Sequence, residues 1–366
     1  MSDAKTESTR KQAAADPSAS DALLASLYRS ARAAADGPGL IWNAQIRCWF
    51  ALEPELAQSI LRSDAFAMRQ HHRVIAELAG RKDVNLDAAA DVLAASPLSH
   101  DGAAHQELRR DFARLILRNT DAALRAYQAH LAELASAHFS HSGSFDLVAD
   151  LVRPLAKRLF ATLTEVPEDC FSDSLASNGC FSQMLSTSVG TFSRQRLQAT
   201  SNRVAEVCAQ INGEGREKLI KASIILGVYQ GFTGAFANAL LCIIARGQGR
   251  PLQSLPFPET LPTSAIPFAD RICRTDITIG RTRVKAGDIV MAYLGSFDTL
   301  TDVPAPLLFG TGAHACIGRP LAERCWTLLA AALRHQPGAV AVADVAYRDL
   351  DYTLVTPVRA LVRVRA

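Results

Sequence analysis

The sequence is short of charge and has almost no excess of either sign. Of its 366 residues, 20% are Asp, Glu, Lys or Arg, and 39 Lys+Arg against 36 Asp+Glu leave a formal +3. So small a basic excess excludes a protein that binds nucleic acid by neutralising phosphates. CxxC pairs are missing too. Eight cysteines stand singly (Cys48, Cys170, Cys180, Cys208, Cys242, Cys273, Cys316, Cys325), which indicates neither a zinc site nor a disulfide framework. There is no internal repeat. Residues 1–20 are polar, small and mixed in charge, without the apolar core of an export signal, so a mobile tail and a cytoplasmic protein with reduced thiols are expected. Only residues 222–245 are apolar for long enough to cross a bilayer. Gln230, Thr233 and Asn238 interrupt that run and no second span partners it, so a helix buried in a globular protein is expected, with no membrane. A hydrophobic fraction of 49% excludes a disordered chain and predicts one large, soluble body.

Periodicity organises what remains. DALLASLYRSARAAADGPG reads as a helix stopped at Gly-Pro-Gly, and Leu40–Trp42 and Arg47–Ala51 as short strands. EPELAQSILRS is a helix with Pro54 in its first turn. Residues 64–100 are less regular. From His105 to Ser140 apolar residues recur at three and four (Leu108, Phe112, Leu115, Ile116), which predicts a helix, and FDLVADLVRPLAKRLFATLTEVPED repeats the pattern up to Pro167. After the apolar helix, PLQSLPFPETLPTSAIPF carries too many prolines for a regular helix. RTDITIGRTRVKAGDIVMAYL alternates as strands broken at Gly280 and Gly287; a helix over roughly 320–335 and two closing strands follow. The sum is a mainly α fold with minor β at both ends.

The stretch that carries chemistry is LLFGTGAHACIGRPLAERCW, Leu307 to Trp326. It is a glycine-rich loop with one cysteine at the entrance to a helix. Gly310, Gly312 and Gly318 allow backbone approaches that a Cβ would forbid. Helix N-terminal N–H groups there can donate to a Cys316 thiolate and lower its pKa. Such a thiolate is a nucleophile or a metal ligand, and His314 and Arg319 beside it add positive charge for carboxylates.

FGTGAHACIG resembles the haem-binding loop of the cytochrome P450 superfamily, Phe-Gly-x-Gly-x-His-x-Cys-x-Gly, with every fixed position filled: Phe309, Gly310, Gly312, His314, Cys316 and Gly318. DGAAHQELRRDF is similar to the family's Asp-Pro-Pro-x-His-x-x-x-Arg-Arg helix start, which implies that His105 and Arg109, four apart on one helix face, bind a haem propionate. AIPFADRICRTDITIG resembles the strand segment that supplies a further propionate ligand, here Arg271. The resemblance covers nearly the whole chain after residue 20. It implies a single haem-thiolate domain over residues 21–366 holding heme b (iron protoporphyrin IX), with Cys316 as the metal ligand, Phe309 shielding the sulfur, and Gly310, His314 and Gly318 completing the cofactor loop.

The sequence departs from the family in three places. The long helix normally carries Ala-Gly-x-Asp/Glu-Thr, whose acid and alcohol relay protons. Here Gln230-Gly231-Phe232-Thr233-Gly234 puts Thr233 at the acid and Gly234 at the alcohol. Proton delivery is then left to Thr233, Gln230, water or substrate, unless Thr233 merely bonds back to a helix carbonyl. The family's Glu-x-x-Arg pair becomes Glu259-Thr-Leu-Pro262, without the arginine. Only 25 positions separate Arg246 from Arg271, and the meander before the cysteine loop shrinks to GSFDTLTDVPAPL, so the domain is shortened between the long central helix and the cysteine loop. The resemblance implies a monooxygenase acting on a small organic substrate in secondary metabolism, with O₂ and electrons from a ferredoxin or flavoprotein. Arg319 and Arg324 are then candidates for the docking face. The alternatives are a haem-thiolate enzyme that uses peroxide or catalyses a rearrangement or dehydration, and a non-catalytic haem- or ligand-binding subunit. Phe66, Met68, Phe181, Met184, Phe192 and Phe232 are candidates either for the pocket or for the core.

Overall fold

A computed structural model describes residues 39–44, 47–171, 180–186, 189–295, 305–347 and 354–365. The expected tail over 1–20, the first helix and most of the 295–307 meander lie outside the described residues.

Strands β1 (Leu40–Asn43) and β2 (Cys48–Ala51) lead into helix α1 (Pro54–Arg62), whose first position is Pro54, where no N–H is required. After β3 (Phe66–Ala67), the segment expected to be irregular forms two helices, α2 (His71–Lys82) and α3 (Asp87–Ala94). Ile75 and Leu78 in α2, and Ala89, Val92 and Leu93 in α3, are buried at helical spacing between charged residues that blur the period in the sequence. Helix α4 (Gly102–Phe139) follows, then β4 (Gly143–Asp146), a wide turn over Leu147–Val152, and α5 (Arg153–Thr164). The wide turn starts where Asp146 Oδ1 accepts from Val148 N at 2.9 Å and Ala149 N at 3.2 Å, an acidic cap on exposed N–H groups.

Helices α6 (Cys180–Leu185), α7 (Arg194–Gln210) and α8 (Gly215–Ser223) precede a second wide turn, Ile224–Val228, and α9 (Tyr229–Arg246). From Gly215 to Arg246 the chain is helical, long and apolar enough to cross a membrane, and 78% of its most apolar window is buried in protein. That is the surface a helix buried inside a core presents. The prolines keep residues 252–267 free of regular helix beyond one short turn, Leu252–Ser254, after β5 (Arg250–Pro251). Then come β6 (Phe268–Cys273), β7 (Ile277–Ile279), β8 (Thr282–Val284), β9 (Ile289–Tyr293), helix α10 (Arg319–Arg334) and strands β10 (Ala339–Tyr347) and β11 (Pro357–Arg365).

The strands form a five-stranded sheet in the order β1-β2-β9-β6-β3, a four-stranded sheet in the order β4-β11-β10-β5, and the β7-β8 hairpin. The first joins strands of residues 40–67 to strands of residues 268–293: β2 runs parallel to β9, with Trp49 opposite Val290, and β6 pairs antiparallel with both β9 and β3. That pairing carries Arg271 toward the start of α4. The architecture is mainly helical with small sheets, as the periodicity predicts.

Candidate functional site

The Cys316 loop is built from backbone restraints. Gly310 and Gly312 have φ of 68° and 73°, which side-chain-bearing residues rarely adopt. At Gly312 a Cβ would lie 2.9 Å from the Leu61 carbonyl oxygen, so the loop sits directly on the end of α1. Gly318 differs from expectation: its φ is −82°, and a Cβ there would meet Cys316 Sγ at an ordinary 3.8 Å. Cys316 N donates to Phe309 O at 2.7 Å and closes the loop. The Arg319 guanidinium lies 5.6 Å from the centroid of the Phe309 ring.

The N–H groups of Gly318 and Arg319 donate to the Cys316 sulfur, as a cysteine before a helix should allow. Of the seven cysteines with described side chains, Cys316 alone is exposed. Even so, the protein crowding around the sulfur pushes the thiol up, and the two N–H bonds with the charges of Arg109 and Arg319 only partly offset this. The expected lowering is therefore outweighed by burial. Cys325, nine residues on, is fully buried and pushed up to about 12, which makes it inert.

A buried cationic cluster faces the loop. His105, 3% exposed on α4, packs its ring 3.9 Å from that of His314, and its Nε2 finds no hydrogen-bond partner among the described residues. His314 Nε2 lies 3.1 Å from Asp101 Oδ1, while its Nδ1 has no partner among the described residues. Arg109 donates to Ala315 O at 2.7 Å, tying α4 to the cysteine loop. Arg271, 5% exposed, donates to the carbonyl of Asp270 at 2.7 Å. Burial lowers the pKa of Arg271, and Asp270 and Asp101 pull it back. Asp101 holds the N-cap position of α4 without capping it. Its carboxylate serves Met68 N at 3.0 Å, Arg274 at 3.1 Å and His314 instead.

Arg69 is a member of this cluster that sequence reasoning misses. It is 8% exposed, donates to Ser186 O at 3.2 Å and feels Asp270. Only the basic run of Arg69, His71 and His72 could have signalled it. His71 lies 3.8 Å from Asp270 Oδ2, and burial outweighs that attraction and holds its pKa down to about 4. Below pH 6.5 the unfolded chain takes a proton that His71 refuses. The stabilisation is therefore present above 6.5 and lost as pH falls toward 4, by about 2–3 kcal/mol. Urea unfolding at pH 7 and 4.5 should show His71→Gln losing about 2 kcal/mol less than wild type across that interval. Equal losses would exclude His71 as the cause.

On the central helix, Thr233 is 3% exposed and its Oγ1 donates to Tyr229 O at 2.8 Å, the back-bond anticipated as its structural alternative. Gln230 is buried at 4% exposure. Gly234 is buried against Ala265 and Thr356. The pocket candidates Phe66, Met68, Met184, Phe192 and Phe232 are all buried, and Phe232 stacks 4.0 Å from Phe236 and sits edge-on to Phe160 at 5.3 Å. Phe66, Met184, Phe192 and Phe232 join apolar clusters of the core; the side chain of Phe181 lies outside the described residues. Arg319 pairs with Glu323 at 2.9 Å and Arg324 with Asp121 at 3.6 Å.

No family model matches the chain. A curated protein, cytochrome P450 165A3 of Amycolatopsis orientalis, is 34% identical over 86 residues, 20% of this chain and 22% of that protein. The match thus spans about a fifth of that relative's length. Solved structures match over almost the full length. CYP154A1 of Streptomyces coelicolor A3(2) has a TM-score of 0.66 at 20% identity, covering 93% of this chain and 97% of that one. P450BioI, solved with an acyl carrier protein ligated to hexadec-9Z-enoic acid, has a TM-score of 0.68 at 17% identity, covering 92% and 97%. Cytochrome P450epoK bound to epothilone D has 0.69 at 16%, covering 93% and 96%. The fold is that of the cytochromes P450.

A P450 fold implies a haem, and the donor set fits one. Four guanidinium groups, the buried Arg69 and Arg271, the half-buried Arg109 and the exposed Arg274, meet two carboxylates, Asp101 and Asp270. With histidines neutral, two positive charges are left over, which the two propionates of a haem would balance. The unpartnered Nε2 of His105 supplies a further polar group toward the same carboxylates. Cys316 alone is exposed among the cysteines with described side chains, and the two N–H donors to its sulfur suit a metal-bound thiolate.

Proposed function

We propose that the chain is a haem-thiolate oxidoreductase, a P450-type monooxygenase that oxidises a small organic molecule using O₂ and electrons from a ferredoxin or flavoprotein. The cofactor is heme b; His105, Arg109, Arg271 and His314 hold its propionates, and Cys316 ligates its iron. The observation that carries this reading is the cationic cluster around Arg271 and His105, with two surplus positive charges, beside a cysteine whose sulfur accepts two backbone N–H bonds. Thiolate ligation supplies electron density that favours O–O cleavage when haem is bound.

The chain's own residues do the rest. The guanidinium groups orient the cofactor edge, the Phe309–Arg319 pair covers the sulfur loop, and apolar side chains of α9 exclude water. Cytoplasmic location and a role in secondary metabolism accompany this reading; relatives named for epothilone support the latter. The test is the reduced carbon-monoxide difference spectrum of purified protein. A thiolate-type band is expected, and a histidine-type band or none overturns the assignment.

A second reading keeps the haem and dispenses with O₂. Thr233 spends its hydroxyl on Tyr229 O and Gly234 has no side chain, so the helix offers neither acid nor alcohol at those positions. Peroxide, or a rearrangement or dehydration that needs no redox partner, would suit such a helix. Turnover with peroxide and none with reductase and O₂ would establish this version over the first.

A further inference from the structure

Asp101 stands at the N-cap of α4 and does not cap it. An aspartate in that position ordinarily accepts from the second or third helical N–H. Here the next residue, Gly102, has φ of 63°, a turn that glycine makes without strain, and the carboxylate is directed away from the helix.

Its two oxygens serve two different parts of the fold. Oδ2 faces the five-stranded sheet: it accepts from Met68 N at 3.0 Å, just after β3, and from Arg274 at 3.1 Å, just after β6. Arg274 in turn donates its backbone N–H to Ala65 O at 2.8 Å. Oδ1 faces the cysteine loop and accepts from His314 Nε2 at 3.1 Å. An ionised carboxylate only accepts, so the proton of this bond is on Nε2. The His314 side chain is 9% exposed and that of Asp101 29%, so water screens the contact far less than it does a surface pair.

Helix α4 therefore grips two successive residues of the loop. Asp101 takes the His314 ring, and Arg109, eight residues and about 12 Å along the helix, takes Ala315 O at 2.7 Å. Cys316 comes next. The earlier part of the loop rests on α1 instead, where Arg62 Nε donates to Thr311 Oγ1 at 2.9 Å and Gly312 packs on Leu61 O. The charge of Asp101 also acts on His105 and Arg271, so the same carboxylate is a counter-charge within the cationic cluster.

We propose that Asp101 is a positioning residue that locks the cysteine loop to the five-stranded sheet through His314, and so sets both the placement of the sulfur and the charge around the cofactor edge. The inference rests on the haem-thiolate reading. Asp101 acts through His314 and through its charge, and forms no bond to the sulfur.

The test combines amide hydrogen exchange of the purified full-length protein with spectroscopy of its reduced carbonyl complex. Asp101→Ala removes both acceptors, so protection should fall roughly tenfold in two separate segments, around Met68 and over 309–318. Asp101→Asn has one acceptor oxygen and should lose less, and it serves in place of the alanine variant if that one does not fold. His314→Gln should release the loop and leave the Met68 segment protected. The Asp101→Ala/His314→Gln double variant should release the loop no further than D101A alone. Leu131→Ala, far along α4, destabilises the helix without touching the loop and should change neither segment selectively. In the loaded protein, D101N and D101A should both shift the midpoint potential to more positive values, since both remove a negative charge beside the cofactor. The thiolate-type carbonyl band of D101A should decay roughly tenfold faster than that of wild type. A loop that keeps its protection in D101A, an additive double variant, or equal loosening in L131A would overturn the role of Asp101. Failure of wild type to form a thiolate-type carbonyl complex would remove the haem-thiolate reading, while the exchange measurements would still decide whether Asp101 locks the loop.

Discussion

Replacing Cys316 by alanine abolishes the thiolate-type carbonyl band, while Cys325→Ala leaves it intact. Both cysteines sit within the same ten residues, so composition and proximity cannot separate them. Geometry does. Cys316 is exposed and takes N–H bonds from Gly318 and Arg319, with Arg109 and Arg319 adding favourable charge. Cys325 is sealed inside α10, its thiol pushed up to about 12 by burial. Metal ligation requires the thiolate, and only the first sulfur has donors placed to stabilise it. Loss of the metal bond also removes a large part of cofactor retention, so the Cys316→Ala protein should release haem on gel filtration where wild type keeps it. Both variants keep the circular-dichroism spectrum, because no apolar packing depends on Cys316. Cys325→Ala opens a small cavity and should cost about 1 kcal/mol. A thiolate band that survives Cys316→Ala would remove the ligand assignment, whatever the fold.

The sequence made the cysteine loop legible because its restraints are local. Gly310 and Gly312 need their positive φ wherever the loop occurs, and Cys316 precedes a helix within three residues. The apolar helix was legible from composition, since residues buried on every side carry no polar face. Other features depend on partners far along the chain. Nothing near Arg69 indicates that it is buried beside Asp270, and nothing near Thr356 indicates that it fills the space before Gly234. Helix α2 was hidden because its buried Ile75 and Leu78 are sparse between histidines and charges, and α3 because it spans only eight residues. The pKa of Cys316 failed as an expectation for a related reason: the helix N-terminus is written locally, whereas the burial that outweighs it comes from the whole fold.

Trp326→Ala should cost about 3–5 kcal/mol, more than any other single truncation considered above, and the urea midpoint measures it. The reason is the segment that replaces the expected Glu-x-x-Arg brace. Glu259, its best sequence candidate, is exposed, so no buried charge is stranded by Pro262. The span is held from α10 instead. Trp326, fully buried, donates its indole N–H to Pro258 O at 3.0 Å, and Arg334 donates to Phe257 O at 2.6 Å while lying 5.8 Å from the Phe257 ring centroid. The indole also meets Phe236 of the central helix edge-on at 6.0 Å and Phe257 at 6.3 Å. One side chain therefore joins the helix that follows the cysteine loop, the proline span and the central helix, with an aromatic and a hydrogen-bonded end each matched. Trp326→Phe separates the two ends: it keeps most of the apolar contact but leaves Pro258 O without its donor, and should cost about 1–3 kcal/mol. Because α10 begins three residues after Cys316, the alanine variant should also bind haem more weakly even under conditions where it remains folded. A loss below about 1 kcal/mol in Trp326→Ala would show that the proline span is braced by something other than this side chain.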